Sequence, residues 1–544
     1  MSRRAVLLVA VLTTVAVVSG VRLAAHLERE ASPLSGWHLW TETDEWAAVT
    51  AAKRIASGNV LDVPAYRPYF SWQRKFGTEA EWDAVMPANV AYQGPVYPYL
   101  LALAGVPGPG AVRTVRLAQI LLAVAASGAL AAAGAAVLLR SGRGPTLAVV
   151  AGVAAGLLHG LYGPLVFLDG FLYRDGPVAH VSALLLALPL VFERPGGAAR
   201  AAGLGLLSGF AALLKQTVLP LGLLAGAVVV LRGGKGAPRR RAALAFGAGL
   251  LLALAPLLAR NAAAGAPLFA FDTRPLVGIP WANARGADGS GATSPLLMTV
   301  LREARGSTLD AAILTARTWR DQPLGLVELV LRKAASALNG MEIGDNASFL
   351  FFRERLQALS RLPPFAFVLG PGLAGLVLAG RRDLFRRGEG LLVAGAGLVP
   401  LGACVLVSTT TRYRSGVAAP LALGTAFLAG FVLEALRDRR GRDVAAAVAA
   451  AAILTAQTFL PSPVPARRVR WADTIVAATL AEARVSPEAG AEEIRRYLAV
   501  AEEDSDRRNG RRAMDRWLGG ERNFALLEPQ GVAPPGRRFA GPKP

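Results

Sequence analysis

Trp37-His-Leu-Trp-Thr-Glu-Thr-Asp-Glu-Trp46, running on into Ala47-Ala-Val-Thr-Ala-Ala-Lys-Arg-Ile-Ala-Ser-Gly58, follows the first apolar run of the chain, Ala5 to Val21. Thr41 or Thr43 can cap a helix whose first turn holds Asp44 and Glu45, and Gly58 fits the stop signal at its end. Trp46, Val49 and Ile55 fall roughly on one side of that helix, with Lys53 and Arg54 on another. This is the pattern of a helix lying at a membrane surface with its aromatics at headgroup level. The acidic pair has two readings. It can be charge favoured at a helix N-terminus, worth about 0.3–1 kcal/mol, or it can be chemistry. The order along the chain favours the second, because a long aromatic loop closing on Tyr92-Gln-Gly-Pro-Val-Tyr-Pro-Tyr99 comes before the next apolar runs.

Outward from this stretch, the composition is that of a polytopic membrane protein. Hydrophobic residues make up 53% of the 544, mean hydropathy is +0.40, and Leu, Ala, Val and Gly occur in runs near span length. The formal net charge of +21 lies mostly in short loops between apolar runs. No Arg/Lys-aromatic surface of a nucleic-acid binder accompanies it, and the positive-inside bias accounts for it better. The one cysteine, Cys404, sits in an apolar run, which excludes an intrachain disulfide and reads as a small core residue. The amino-terminal run can be a signal peptide or an uncleaved first span. The weak cleavage site around Val21 to His26 favours the span.

Threading the apolar runs with basic loops inside predicts an all-α bundle of about eleven transmembrane helices. Residues 5–25, 112–139, 145–168, 177–192, 201–214, 217–232, 242–259, 363–380, 390–407, 416–436 and 444–460 are the expected spans. Two large loops, 26–111 and 260–360, fall outside, and the apolar stretch Val96 to Val106 within the first is re-entrant or interfacial. The expected transmembrane domain is 1–460. Residues 461–544 read as a small extracytoplasmic helical tail, with charged helical stretches near 470–484, 489–503 and 508–518 and a disordered Pro/Gly-rich end.

No P-loop, Gly-rich fingerprint after a strand, zincin helix or Gly-x-Ser-x-Gly elbow is present, so soluble nucleotide chemistry has no home here. The four histidines, His26, His38, His159 and His180, lack metal-ligand spacing and read as structural. Ionisable residues near apolar runs carry more meaning, because a charge in a bilayer costs roughly 2.5–3.5 kcal/mol on insertion scales. Lys215 interrupts such a run and either snorkels or meets an anionic lipid phosphate. Arg174 and Asp175 pair with each other at a turn, or Asp175 is a second acid facing a cavity. Arg260, Arg412 and Arg414 sit at outer span ends, against the positive-inside trend. A guanidinium is always charged and forks to two oxygens, so these arginines with Lys215 point to a phosphate-bearing substrate.

Thr43-Asp-Glu45 after the first span, Gly94-Pro-Val-Tyr-Pro98, Arg174-Asp-Gly-Pro177, Gly209 to Pro220, Ala259-Arg-Asn261 through Leu268, Gly340-Met-Glu-Ile-Gly-Asp-Asn346 and Thr411-Arg-Tyr-Arg414 occur in an informative order. In that order they resemble the GT-C superfamily of integral-membrane glycosyltransferases. The nearest branch is that of protein O-mannosyltransferases and lipid A aminoarabinose transferases, glycosyltransferase family 39 and its relatives. The likeness covers about residues 1–460. Arg174-Asp175-Gly176 departs from the commoner Arg-x-Asp form.

The resemblance implies transfer of a sugar from a polyprenyl-phosphate donor to a protein, lipid or glycan acceptor on the extracytoplasmic face of the cell membrane, the inner membrane of a bacterium. It implies Asp44 as the catalytic acid residue beside the reacting centre, with Glu45 its neighbour, and Lys215, Arg260, Arg412 and Arg414 as donor-phosphate ligands. No cofactor is assigned, and a divalent metal is left open. A carboxylate can act as general base on an acceptor hydroxyl, giving inversion in a single displacement. Trp72, Trp82, Tyr92, Tyr97 and Trp281 would wall the site. The alternatives are an O-antigen-ligase-like transferase centred on arginines, and a non-enzymatic lipid or solute transporter.

Overall fold

The computed structural model describes residues 1–192, 197–232, 236–289, 293–386, 388–464 and 470–500, with residues 511, 514 and 515, and every regular element among them is a helix. Five helices are long and apolar enough to cross a bilayer: Arg3–Ala31, Gly110–Arg140, Ala237–Ala263, Glu389–Leu406 and Thr411–Arg437. A sixth crossing results if Pro145–Gly160 and Gly163–Asp169, bent by 51° at the break between them, form one span. Asp175–Val191, Ala198–Leu214, Gln216–Arg232 and Ala366–Arg381 are apolar but shorter. The chain is thus an all-α, multi-pass membrane-type bundle, with five or six full-length spans among the described residues against the eleven expected from the apolar runs. Hydropathy registers a run whether or not its helix continues. Here Lys215 takes an extended conformation and divides two helices, each shorter than a full span.

Packing inside the bundle relies on small residues. A Cβ on Gly375, in Ala366–Arg381, would lie 1.7 Å from the Gly424 carbonyl oxygen of Ala418–Arg437, so only glycine admits that crossing. Close backbone approach of this kind replaces the hydrophobic drive that lipid cannot supply. Charge is also buried there in compensated form. Arg22 pairs with Asp169 and donates from Nε to the Gly160 carbonyl at 2.8 Å, and Asp169 meets His180 Nε2 at 2.9 Å. His180 in turn lies 3.3 Å from His159, so two histidines far apart in sequence share one buried network. At the basic-loop end, Glu389 receives Arg140 at 3.0 Å and Arg232 as well.

The two large loops fold on each other. Trp82, Val85 and Met86 of the first pack with Leu276, Leu297, Met298 and Leu301 of the second. Val96–Leu103 is a short helix, and its Leu101 is fully buried in the main core. The tail helix Trp471–Arg484 inserts Val476, Ala477 and Leu480 into an aromatic cluster with Trp37, Phe351 and Phe352. Arg484 donates to Ser35, and Arg355 pairs with Glu493 of Pro487–Val500 at 2.6 Å. These two tail helices are built into the outer layer. The expected helix near 508–518 and the expected disordered end lie almost entirely outside the described residues.

Candidate active site

The helix Asp44–Ala56 starts where the local sequence requires. Thr43 accepts the Trp46 N–H on its hydroxyl at 3.1 Å and donates the same hydroxyl to the Trp40 carbonyl at 3.0 Å. Gly58 follows the last turn at φ +103°. This cap fixes Asp44 at the first helical position, at the edge of a cavity of about 640 Å³ formed between the two large loops and the outer ends of the bundle.

Asp44 is held by three donors on one oxygen. Its Oδ2 receives Arg412 Nη1 at 2.7 Å, Asn346 Nδ2 at 3.1 Å and Arg274 Nη2 at 3.3 Å. Burial pushes its carboxyl pKa up, but the Arg274 and Arg412 guanidinium groups, with the hydrogen bonds from Arg412 and Asn346, outweigh burial and hold it well below the usual carboxylate range. Arg274 is shared with the Tyr92 hydroxyl at 2.7 Å, and burial pushes that phenol up to about 12. Glu45 faces elsewhere. Its Oε1 accepts the Leu172 N–H at 2.6 Å, its Oε2 is buried without a partner, and burial raises its pKa against the opposing pull of Arg116, the Leu172 N–H and Arg29. The adjacent acids therefore divide: Asp44 reaches the cavity, and Glu45 ties the helix to the 170–174 turn.

Cations surround the cavity, each already held by an acid. Lys215 Nζ meets Asp175 at 2.8 Å and lies 4.0 Å above the Tyr413 ring. Arg174 pairs with Asp272 at 3.2 Å, so Arg174 and Asp175 have separate partners. Arg412 joins Asp44 to Asp345, at 2.8 Å, and faces Asp175 at 3.7 Å. Gly94 is what lets the first loop close over this group, since a Cβ there would fall 2.1 Å from the Leu214 carbonyl and 2.6 Å from Arg174.

Lys215 lines the cavity, and Asp175 and Arg412 adjoin it through smaller clefts that also touch Asp44. Arg260 does not come to this site. Its guanidinium is spent on the carbonyls of Leu61, Asn89 and Asp62. Arg414 does not reach it either, being sealed in the interior against Glu342 at 2.7 Å and the Asn339 and Met341 carbonyls. Trp72, Trp82, Tyr92 and Trp281 do line the cavity, whereas Tyr97 is buried in the core with its hydroxyl on Gln119 at 2.8 Å. Sequence reasoning missed Arg274, Asp345 and Asn346 as neighbours of Asp44. It missed the tail as well: Arg470 and Trp471 are part of the cavity wall, and Arg470 donates to the Asp345 carbonyl while pairing with Asp473 at 2.8 Å.

Among the described residues no group of three His, Cys, Asp or Glu is arranged to hold a metal ion. The three aspartates that come closest, Asp44, Asp175 and Asp345, are turned onto the Arg412 guanidinium. Those carboxylates serve that organic cation.

No family model matches the chain, and no curated protein matches it. Three crystal structures of the Archaeoglobus fulgidus oligosaccharyltransferase do. The apo form is 14% identical over 90% of this chain and 59% of that one, with a TM-score of 0.42. The form tethered to an acceptor peptide containing the NVT sequon is 14% identical over 90% and 58%, with a TM-score of 0.39. The complex with Zn and sulfate is 17% identical over 88% and 56%, with a TM-score of 0.36. This chain thus spans less than three fifths of the length of those it matches.

Proposed function

We propose that the chain is a GT-C-type membrane glycosyltransferase. It transfers a glycosyl group from a polyprenyl-phosphate sugar to a protein, lipid or glycan acceptor at the extracytoplasmic face, the short apolar helices completing a set of about eleven crossings. One observation carries this reading: a capped, buried aspartate opens onto a large cavity lined both by cations, Arg174, Lys215 and Arg274 among them, and by Trp72, Trp82 and Trp281. That is the chemistry wanted by a substrate with a phosphate at one end of the reacting bond and a sugar at the other.

In the reaction, the acceptor hydroxyl oxygen bonds to the anomeric carbon from the face opposite the phosphate. The bond from that carbon to the phosphate oxygen breaks and its electron pair leaves on the lipid phosphate. The acceptor proton passes to an Asp44 oxygen, and configuration inverts. Lys215, Arg174 and Arg274 stabilise the charge growing on the phosphate. Glu45 anchors the helix that presents Asp44.

The test is transfer of radiolabelled sugar from polyprenyl-phosphate donors in membranes, wild type against Asp44→Asn. Loss of a positioned base lowers turnover by about 10²–10⁴-fold. Asp44→Asn at wild-type turnover, in a protein of wild-type abundance, would sink the role given to Asp44. The double salt bridge on Asp44 favours a second reading, in which the arginines alone drive transfer as in an O-antigen-ligase-like enzyme. That outcome would be its signature.

A further inference from the structure

A base needs a proton affinity suited to its task, and that of Asp44 is lowered while two guanidinium groups and an amide crowd its Oδ2. The two guanidinium groups are not equally committed. Arg412 is 8% exposed and bound among three aspartates, so a ligand that drew it away would strand Asp345. Arg274 is 28% exposed and lines the cavity, and its one acidic partner is Asp44, at the longest of the three distances. Lys215 and Arg174, at 12% and 10%, are more enclosed and have their own aspartates.

We propose that Arg274 is a phosphate-operated latch on Asp44: the donor's phosphate takes the Arg274 guanidinium, and Asp44 is thereby released to accept the acceptor's proton. This rests on the glycosyltransferase reading above and adds an order of events to it. Before donor binds, Asp44 is paired and inert. Once the donor's phosphodiester, whose single negative charge is shared by two non-bridging oxygens that a forked cation can take, engages Arg274, Asp44 keeps Arg412 and Asn346 as positioning contacts and loses one neutralising charge. The acid is armed only when there is a glycosyl group to transfer, which suppresses idle deprotonation of water. Tyr92, which holds Arg274 at 2.7 Å, is the hinge side of the latch.

Several charged and titratable groups bear on Asp44. Arg274, Asp345 and Tyr92 come from the two loops, Arg412 and Tyr413 from a bundle end, Tyr173, Arg174 and Asp175 from the turn, with Lys215 beyond them and Glu45 on its own helix. Among these Arg274 is the one whose removal subtracts a cation from Asp44 while leaving the Arg412 cluster intact.

The experiment measures binding of an isoprenyl monophosphate, by tryptophan fluorescence in detergent, together with the pH profile of transfer. Asp44→Asn frees Arg274, so the monophosphate binds this variant about tenfold more tightly than wild type, while Arg274→Gln binds it at least about tenfold more weakly and Arg274→Lys falls between. In Arg274→Gln the acidic limb of kcat/KM moves up by about one to three pH units, as expected when an aspartate loses an adjacent arginine. A purely structural Arg274 would leave both the phosphate affinity and the acidic limb where they are, and that result overturns the latch. Weaker monophosphate binding by Asp44→Asn would overturn it too. If instead the binding pattern holds while Asp44→Asn keeps full turnover, the phosphate site at Arg274 stands and the base role of Asp44 falls.

Discussion

Replacing Gly94 by alanine adds one carbon at the point where the first loop meets the bundle. That carbon would stand 2.1 Å from the Leu214 carbonyl oxygen and 2.6 Å from Arg174 Nη1, against an ordinary contact of about 3.4–4 Å. The side chain of Arg174 can swing aside, at the expense of its 3.2 Å pair with Asp272. The Leu214 carbonyl is backbone, and relieving the clash means moving it by roughly 1 Å, taking Lys215 with it. Overpacking of this kind costs about 1–3 kcal/mol. A displacement of about 1 Å in a group that positions substrate costs about 10²-fold in rate. The expected result is a modest loss of thermal stability in detergent together with a roughly 100-fold loss of donor turnover. Gly203→Ala is the control. Its Cβ meets nothing within 4 Å, it lies inside the same Ala198–Leu214 helix, and a helix-interior Gly→Ala exchange stabilises by about 0.5–1 kcal/mol. Gly94→Ala with wild-type melting and wild-type turnover would refute the close approach on which the site's geometry depends.

Further outcomes follow from the same contacts. Asp169→Asn strands the Arg22 guanidinium in the bundle and removes the acid under His180, so the melting transition should fall by the equivalent of about 3–5 kcal/mol; an unchanged transition would contradict the buried network. Leu480→Ala opens the aromatic cluster beneath the tail and should cost about 2–5 kcal/mol, and deletion of residues 465–544 should do more damage than deletion of 501–544, which leaves Arg470, Trp471 and both docked helices in place. Comparable loss from the two deletions would show that the docked helices are dispensable. Glu45 and Asp44 should respond to pH with opposite sign. The folded pKa of Glu45 is raised, so its contribution to stability is fully present below the unfolded value of about 4.3 and is lost as pH rises through the folded value. Glu45→Gln, which can still accept the Leu172 N–H, should therefore match or exceed wild-type stability at pH 7 and fall behind at low pH. Asp44 is depressed, so its contribution is present above about 3.9 and is lost as pH falls through the folded value, and Asp44→Asn should be the less stable partner at neutral pH. Melting curves from pH 3 to 8 check both signs.

Much of the site was legible where a local rule applied. Thr43, Asp44 and Gly58 form a cap, a first turn and a stop within sixteen residues, and the helix Asp44–Ala56 forms where those rules put it. Lys215 and Arg412 stood out because ionisable groups in apolar surroundings are expensive, and both lie beside Asp44's cavity. The same rule also pointed to Arg260 and Arg414, which the fold uses to bind backbone carbonyls and an interior glutamate. Arg274 carried no comparable signal. It is one arginine before a proline in the second large loop, and nothing local says that this loop will lay it 3.3 Å from an acid 230 residues earlier.

The sequence by itself determined that the chain is a helical, multi-pass membrane-type protein with an acidic helix start in its first large loop. Apolar run length, basic loop placement and helix capping are properties of neighbouring residues, and they act before any tertiary contact forms. Only the tertiary structure decided which cations face Asp44, that Glu45 turns inward, that His159 and His180 meet, and that Arg470 and Trp471 of the tail complete the cavity wall. Each of those outcomes is a choice of partner among many chemically equivalent charges. It is made by the long-range packing that brings one of them within hydrogen-bond reach and leaves the others outside it.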